Sequence, residues 1–308
     1  MSVKDCTFTD CTVHGEGGDG GGGVFAVKTT DGCEFVRCHA DGCGGGWRNN
    51  EYLVDVAVRN CIFTDCSAAL YGGGVSAFGR SFGSDNSRIE NCLFTGCSAE
   101  ENGGGGIDNA YLVDNCEFQN CRAAEGGGVY NTEKIIRCRI ESCSATGNGG
   151  GVCVAAELRA SLLLKNSSGK TGGGSWGAAS YSCTYAGNTA KGGDPALKLD
   201  SGTPIPRNCI FYNNAYNCDG SHADNCATAT TGDFCDEEHD DYHLSLDLLW
   251  QRGRERRCDL QRGAGLAHGR QFDVCRQPRG RRLFRRNPHR SGRRGRGAGW
   301  RGLCAPAR

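Results

Sequence analysis

The stretch that decides the fold is Cys61-Ile62-Phe63-Thr64-Asp65-Cys66-Ser67-Ala68, followed by Gly72-Gly73-Gly74-Val75. Its frame, C-x-[FI]-x-x-C, recurs at Cys6–Cys11, Cys33–Cys38, Cys92–Cys97, Cys116–Cys121 and Cys138–Cys143. Three more copies end in Asn: Ser161–Asn166, Cys183–Asn188 and Cys209–Asn214. The first positions are separated by 27, 28, 31, 24, 22, 23, 22 and 26 residues. A Gly run ending beside a small or apolar residue follows the copies, as at Gly46-Trp47, Gly106-Ile107, Gly128-Val129, Gly151-Val152 and Gly174-Ser175. An apolar step ending in Asn often precedes the next Cys, as at Asn60, Asn91, Asn115 and Asn208.

Each unit reads as three short strands with tight turns. No apolar stripe of helical spacing survives the glycines. A unit of this size cannot bury a core alone, but stacked units can. The pattern therefore predicts an all-β chain, a right-handed single-stranded parallel β-helix of about nine coils. At the inter-strand spacing of ~4.8 Å, eight steps make a rod of roughly 38 Å. Within a copy the first Cys and the residue two places on share the inward face. The second Cys or Asn lies at an odd offset and faces inward only if the chain bends just before it. The expected interior ladder is thus Cys6, Cys11, Cys33, Cys38, Cys61, Cys66, Cys92, Cys97, Cys116, Cys121, Cys138, Cys143, Asn166, Asn188 and Asn214.

The paired motifs, Phe63–Cys66 with Gly72-Gly73-Gly74-Val75 and Phe118–Cys121 with Gly126-Gly127-Gly128-Val129, resemble the polymorphic outer-membrane-protein repeat family and its pectin-lyase-like β-helix relatives. The resemblance covers about residues 5–217. It implies a surface or secreted passenger stalk acting in adhesion, with cell-surface glycans or proteins as partners. The family usually places Asn in the last slot of the motif, where this chain has Cys in six coils.

The chain has 308 residues, with 22 Cys and 50 Gly. So many cysteines suggest an oxidising compartment or a metal protein. The C-x4-C spacing is not that of a zinc knuckle, and no His recurs at a fixed offset, so neither metal nor cofactor is expected. Equivalent cysteines on successive coils lie within disulfide range at Cα, but their Cβ vectors run parallel. Thiol ladders packing as small apolar side chains and disulfides between adjacent coils both fit. Asn166-Ser167-Ser168 matches a glycosylation sequon, but it occupies an interior slot. Gly169-Lys170-Thr171 resembles the end of a phosphate-binding loop, but Leu164 stands where that loop needs Gly.

A polysaccharide lyase or glycoside hydrolase on this fold would need carboxylates gathered on neighbouring coils. The best cluster is Asp10, Arg37 and Asp65, in the column before the second Cys. Alternating charge on a solvent face explains it equally well. The reading is accordingly a non-catalytic stalk, with a carbohydrate-active enzyme as the alternative. No apolar run is long enough for a membrane-spanning helix.

The formal charge is zero, but residues 1–235 carry a net −9 and residues 236–308 a net +9. The repeat domain is assigned to residues 1–235. Residues 236–308 lose every repeat column and contain Arg without Lys among many Gly. Such a tail suits nucleic acid or an anionic surface. An out-of-frame reading of GC-rich DNA gives the same composition and is the preferred explanation, so the tail is expected to be disordered and no nucleic-acid partner is expected. The full-strength first coil, without signal peptide or cap, is expected of a fragment of a longer protein.

Overall fold

The computed structural model describes residues 1–15, 20–50, 53–77, 86–214 and 227–229. The basic tail lies outside them. Every paired strand among the described residues runs parallel to its neighbours, in three sheets. The first sheet carries the Phe column: Thr7–Thr9, Glu34–Val36, Ile62–Thr64, Leu93–Thr95, Glu117–Gln119, Arg139–Glu141, Leu162–Leu164, Thr184–Ala186, Ile210–Tyr212 and Ala227–Ala229. The second is built from the small-residue steps, such as Ser67–Ala68 and Ser98–Ala99. The third joins the strand after each Gly run to the strand before the next Cys. All three sheets are complete through eight turns. The ninth copy contributes Ile210–Tyr212 and Asn214.

The turns are short because two corners use left-handed backbone. Asp5, Gly32, Asn60, Asn91, Asn115, Arg137, Ala160, Ser182 and Asn208 precede the first ladder position, with φ between +46 and +66°. Asp10, Arg37, Asp65, Gly96, Asn120, Ser142, Lys165, Gly187 and Asn213 precede the second, with φ between +50 and +68°. Gly, Asn and Asp enter that region most easily, which accounts for their frequency there. The second corner supplies the bend that turns Cys66 or Asn188 inward.

The Gly run makes room for the aromatic column. A Cβ on Gly74 would lie 2.6 Å from Cδ1 of Phe94 and 2.8 Å from the Gly106 carbonyl oxygen. The rings of Phe8, Phe35, Phe63, Phe94 and Phe118 stack with centroids 4.6–5.0 Å apart. Each fully buried ring contributes roughly 2–3 kcal/mol by burial, and stacking adds about 0.5–1.5 kcal/mol. Ile140, Leu163, Tyr185 and Phe211 continue the column. Tyr185 brings a hydroxyl into the core, where Ser175 and Ser180 meet it at 2.9 and 2.7 Å. That explains why Ser175 stands where the other coils have a large apolar residue (Val, Ile, Trp or Leu) after the Gly run.

Coil length varies mostly at one edge. The coils starting at Cys116, Cys138 and Ser161 need 22, 23 and 22 residues. They pass through the continuous strands Val129–Ile136, Val152–Arg159 and Ser175–Tyr181. The longer coils starting at Cys33, Cys61 and Cys183 insert residues 49–56, 77–87 and 199–206 at the same point.

Candidate functional site

The interior ladder consumes its polar groups. The Asn188 Nδ2 donates to the Leu163 carbonyl at 2.9 Å, while its Oδ1 accepts from the Asn166 backbone N–H at 2.9 Å. Asn166 and Asn214 make the same kind of pair of bonds. The thiols take equivalent places. Cys38, Cys66, Cys97 and Cys121 donate to the carbonyls of Phe8, Phe35, Phe63 and Phe94 at 3.4–3.7 Å. In the first column, Cys92 and Cys116 donate to Val58 and Ile89, and the Cys92 N–H points to the Cys116 sulfur at 3.5 Å. None of the sixteen described cysteines is joined to another in a disulfide. Burial pushes the Cys92, Cys97 and Cys116 thiols well above their ordinary pKa. Cys6 departs from the expected interior placement. It is exposed, and Cys11 is half-buried, whereas their counterparts from Cys33 onward are buried. Asn166 is fully buried, which leaves its sequon no room for a glycan.

Asp10, Arg37 and Asp65 stand in one outward column at a left-handed corner. Arg37 donates through Nε and Nη2 to both carboxylate oxygens of Asp10, at 2.7 and 2.8 Å. The bond from Arg37 holds the Asp10 carboxyl below the usual carboxylate range. Both side chains are more than half exposed, so the pair contributes little to stability. Other outward charges pair in similar fashion: Arg59 with Glu90 at 2.7 Å, and Arg139 with Glu117 and Glu141.

Two arrangements are absent from the sequence reading. On the outward face of the second sheet, Ser67 Oγ lies 2.8 Å from His39 Nδ1, and His39 Nε2 lies 3.2 Å from Asp41 Oδ1. His14 meets the other Asp41 oxygen at 3.1 Å. Nucleophile, base and orienting carboxylate are thus in contact. The nearby backbone N–H groups of Ser67, Ala69 and Ser98 all donate along the ladder, to Cys38, Ala40 and Cys66. None of them is left to stabilise an oxyanion.

The second arrangement surrounds Asp108. Ser76, Asp108, Tyr130 and Cys153 follow one another in register on the outward side of the third sheet. Tyr71 and Tyr130 bring their rings to 6.2 Å, tilted by 31°. Gly103 allows this, since a Cβ there would lie 2.3 Å from Cγ of Tyr130. Asp108 is 1% exposed despite its outward position. Its Oδ2 accepts from Ser76 Oγ at 3.3 Å, and its Oδ1 has no protein partner. Burial raises its pKa to about 8, with Ser76 and Asn109 opposing. A buried carboxyl oxygen without a donor requires an explanation that packing does not give. The neighbouring Glu125 is engaged by the Asn148 N–H at 2.8 Å and the Cys153 thiol at 3.6 Å. No group of three or more His, Cys, Asp or Glu suited to a metal ion occurs among the described residues. No helix among them is long and apolar enough to cross a membrane.

Residues 1–123 match the family model described as right handed beta helix region. No curated protein and no solved structure matches the chain. The family match gives the hand of a coil whose strands, corners and ladders are on view through eight turns, and the chain is a cysteine-rich right-handed parallel β-helix.

Proposed function

We propose that the β-helix is a non-catalytic rod of a surface or secreted protein, acting by adhesion or display, with cell-surface glycans or proteins as its partners. The observation that carries this reading is the commitment of the repeat's polar side chains to the coil itself. The Cys and Asn ladders bond to backbone one coil away. The conspicuous outward charges pair with one another along the rod. What is left outward is a long, shallow face that changes from coil to coil, suited to many weak contacts. The buried thiols fit an oxidising exterior, because a thiol that cannot ionise is a poor nucleophile.

One observation favours the alternative of a carbohydrate-active enzyme: Asp108 is a carboxyl held protonated near neutral pH, as a general acid must be. That chemistry requires a second carboxylate facing the first across a substrate, and the acidic neighbour Glu125 is held by Asn148 and Cys153.

The test is to incubate the full chain with acidic and neutral polysaccharides and to measure both cleavage and retention on cell surfaces. The rod reading expects retention without new reducing or unsaturated ends. Turnover that disappears in Asp108→Asn or Asp65→Ala would establish the enzyme instead.

A further inference from the structure

We propose that the Asp108 carboxyl and the Tyr71 and Tyr130 rings form a binding site for a primary ammonium ion, with the ammonium N–H groups donating to Oδ1 of Asp108 and the charge resting against the rings. The site lies on the outward side of the third sheet, and its chemistry does not depend on the adhesion reading. Four observations support it. Oδ1 of Asp108 is buried and lacks a donor, although Oδ2 has Ser76. Two phenol rings converge from the coils on either side of it, and both remain partly in solvent. Gly103 provides the space for Tyr130 to lean over the neighbouring coil towards Tyr71. Among the described residues, the titratable groups that act on the rings are acids: after burial, Asp108 and Cys43 raise the phenol pKa of Tyr71, and Cys153, Tyr71, Asp108 and Glu125 raise that of Tyr130. Among the described residues of this column the cations are Arg48, two coils back, and Lys198, four coils on.

Such a site selects by chemistry. A carboxylate with a missing donor favours an ammonium that carries N–H over one that does not. Aromatic faces favour a cation over a neutral amine. Because Asp108 holds its proton up to about pH 8, binding below that pH releases the proton to solvent. Affinity should rise about tenfold per pH unit up to pH 8 and then level off. The ammonium keeps its own charge through this window, since amines titrate at about 10.4.

The experiment is an NMR titration of the full chain with methylammonium chloride at pH 6, 7 and 9, with tetramethylammonium and sodium chlorides as controls. Saturable shifts of the Tyr71 and Tyr130 ring resonances are expected, with affinity about 100-fold weaker at pH 6 than at pH 9. Tetramethylammonium should bind at least about tenfold more weakly, sodium should leave the rings unmoved, and Asp108→Asn should lose the response. Tyr71→Leu, on a half-exposed ring, provides a second variant and should weaken binding without loss of fold. Absence of saturable shifts at pH 9, affinity independent of pH, or full binding by Asp108→Asn or Tyr71→Leu would each overturn the proposal.

Discussion

The Cys97 thiol donates to the Phe63 carbonyl one coil away at 3.6 Å, and this is the contact that the Asn188 amide makes to Leu163 at 2.9 Å. Cysteine and asparagine are therefore two solutions to one problem. A tight corner leaves a carbonyl and an N–H of the neighbouring coil without ladder partners, and the side chain reaches across to them.

The two solutions differ in strength. Asn188→Ala removes the partners of the Leu163 carbonyl and the Asn166 N–H, at a cost of about 1–3 kcal/mol for each buried group left unpaired. Asn188→Cys should recover part of that loss. Denaturant unfolding of the three proteins measures the order, which is expected to be wild type, then Cys, then Ala.

Gly74→Ala should destabilise by about 1–3 kcal/mol or more, because its Cβ meets the Phe94 ring at 2.6 Å and a backbone oxygen at 2.8 Å. Gly15→Ala, where nothing lies within 4 Å, should stay within about 0.5 kcal/mol of wild type. Thermal unfolding of both variants checks the contrast.

Thiol reactivity should divide by position. Cys6 and Cys11 should react with an aromatic disulfide reagent in the native protein. Cys92, Cys97 and Cys116 should react only on unfolding, even at pH 9, because burial keeps them protonated. Mass spectrometry of time-resolved labelling gives the order.

Asp108 makes stability depend on pH. Its pKa is about 8 when folded and ~3.9 when unfolded. Between these values the native state holds a proton that the unfolded state has lost, so stability falls as pH rises from about 4 to 8 and then levels off. The total effect is on the order of several kcal/mol. Asp108→Asn should therefore gain stability over wild type at pH 8–9 and little at pH 4, as read from denaturant midpoints at each pH.

Val154 is a β-branched residue at φ +61°, at the bend that Asn109 and Asn131 occupy in the two preceding coils. Val154→Asn should stabilise by about 0.5–1 kcal/mol by relieving the left-handed backbone. A shift of the thermal midpoint checks this.

The architecture was legible because its causes repeat. Phe63, Cys66 and Gly74 each stand in a column whose members face the same constraint in every turn, so spacing alone exposed the coil. The column of Asp10, Arg37 and Asp65 looked like chemistry for a related reason. Its Asp, Asn and Gly content follows from left-handed backbone at a corner, a preference that one copy cannot reveal. The Asp108 site was not legible. Its parts lie in three successive coils: Tyr71 and Ser76, then Gly103 and Asp108, then Tyr130. Each occupies an outward slot that varies freely elsewhere. Comparing Arg48, Ser76, Asp108, Tyr130 and Cys153 down that slot would have drawn attention to it, but the burial of Asp108 comes from tertiary packing. The meeting of His39, Asp41 and Ser67 was hidden for the same reason.

Residues 49–56, 77–87 and 199–206 all fall between the strand that follows a Gly run and the stretch that precedes the next Cys, so the added residues enter the coil at one edge. Axial position and lateral reach are therefore independent coordinates. The number of the turn fixes the height of such a segment in steps of ~4.8 Å, and the number of its residues varies while the Phe, Cys and Asn columns keep their register. A binding surface on this edge can be altered one turn at a time, as pins of different length are set in a bar, while the bar keeps its pitch.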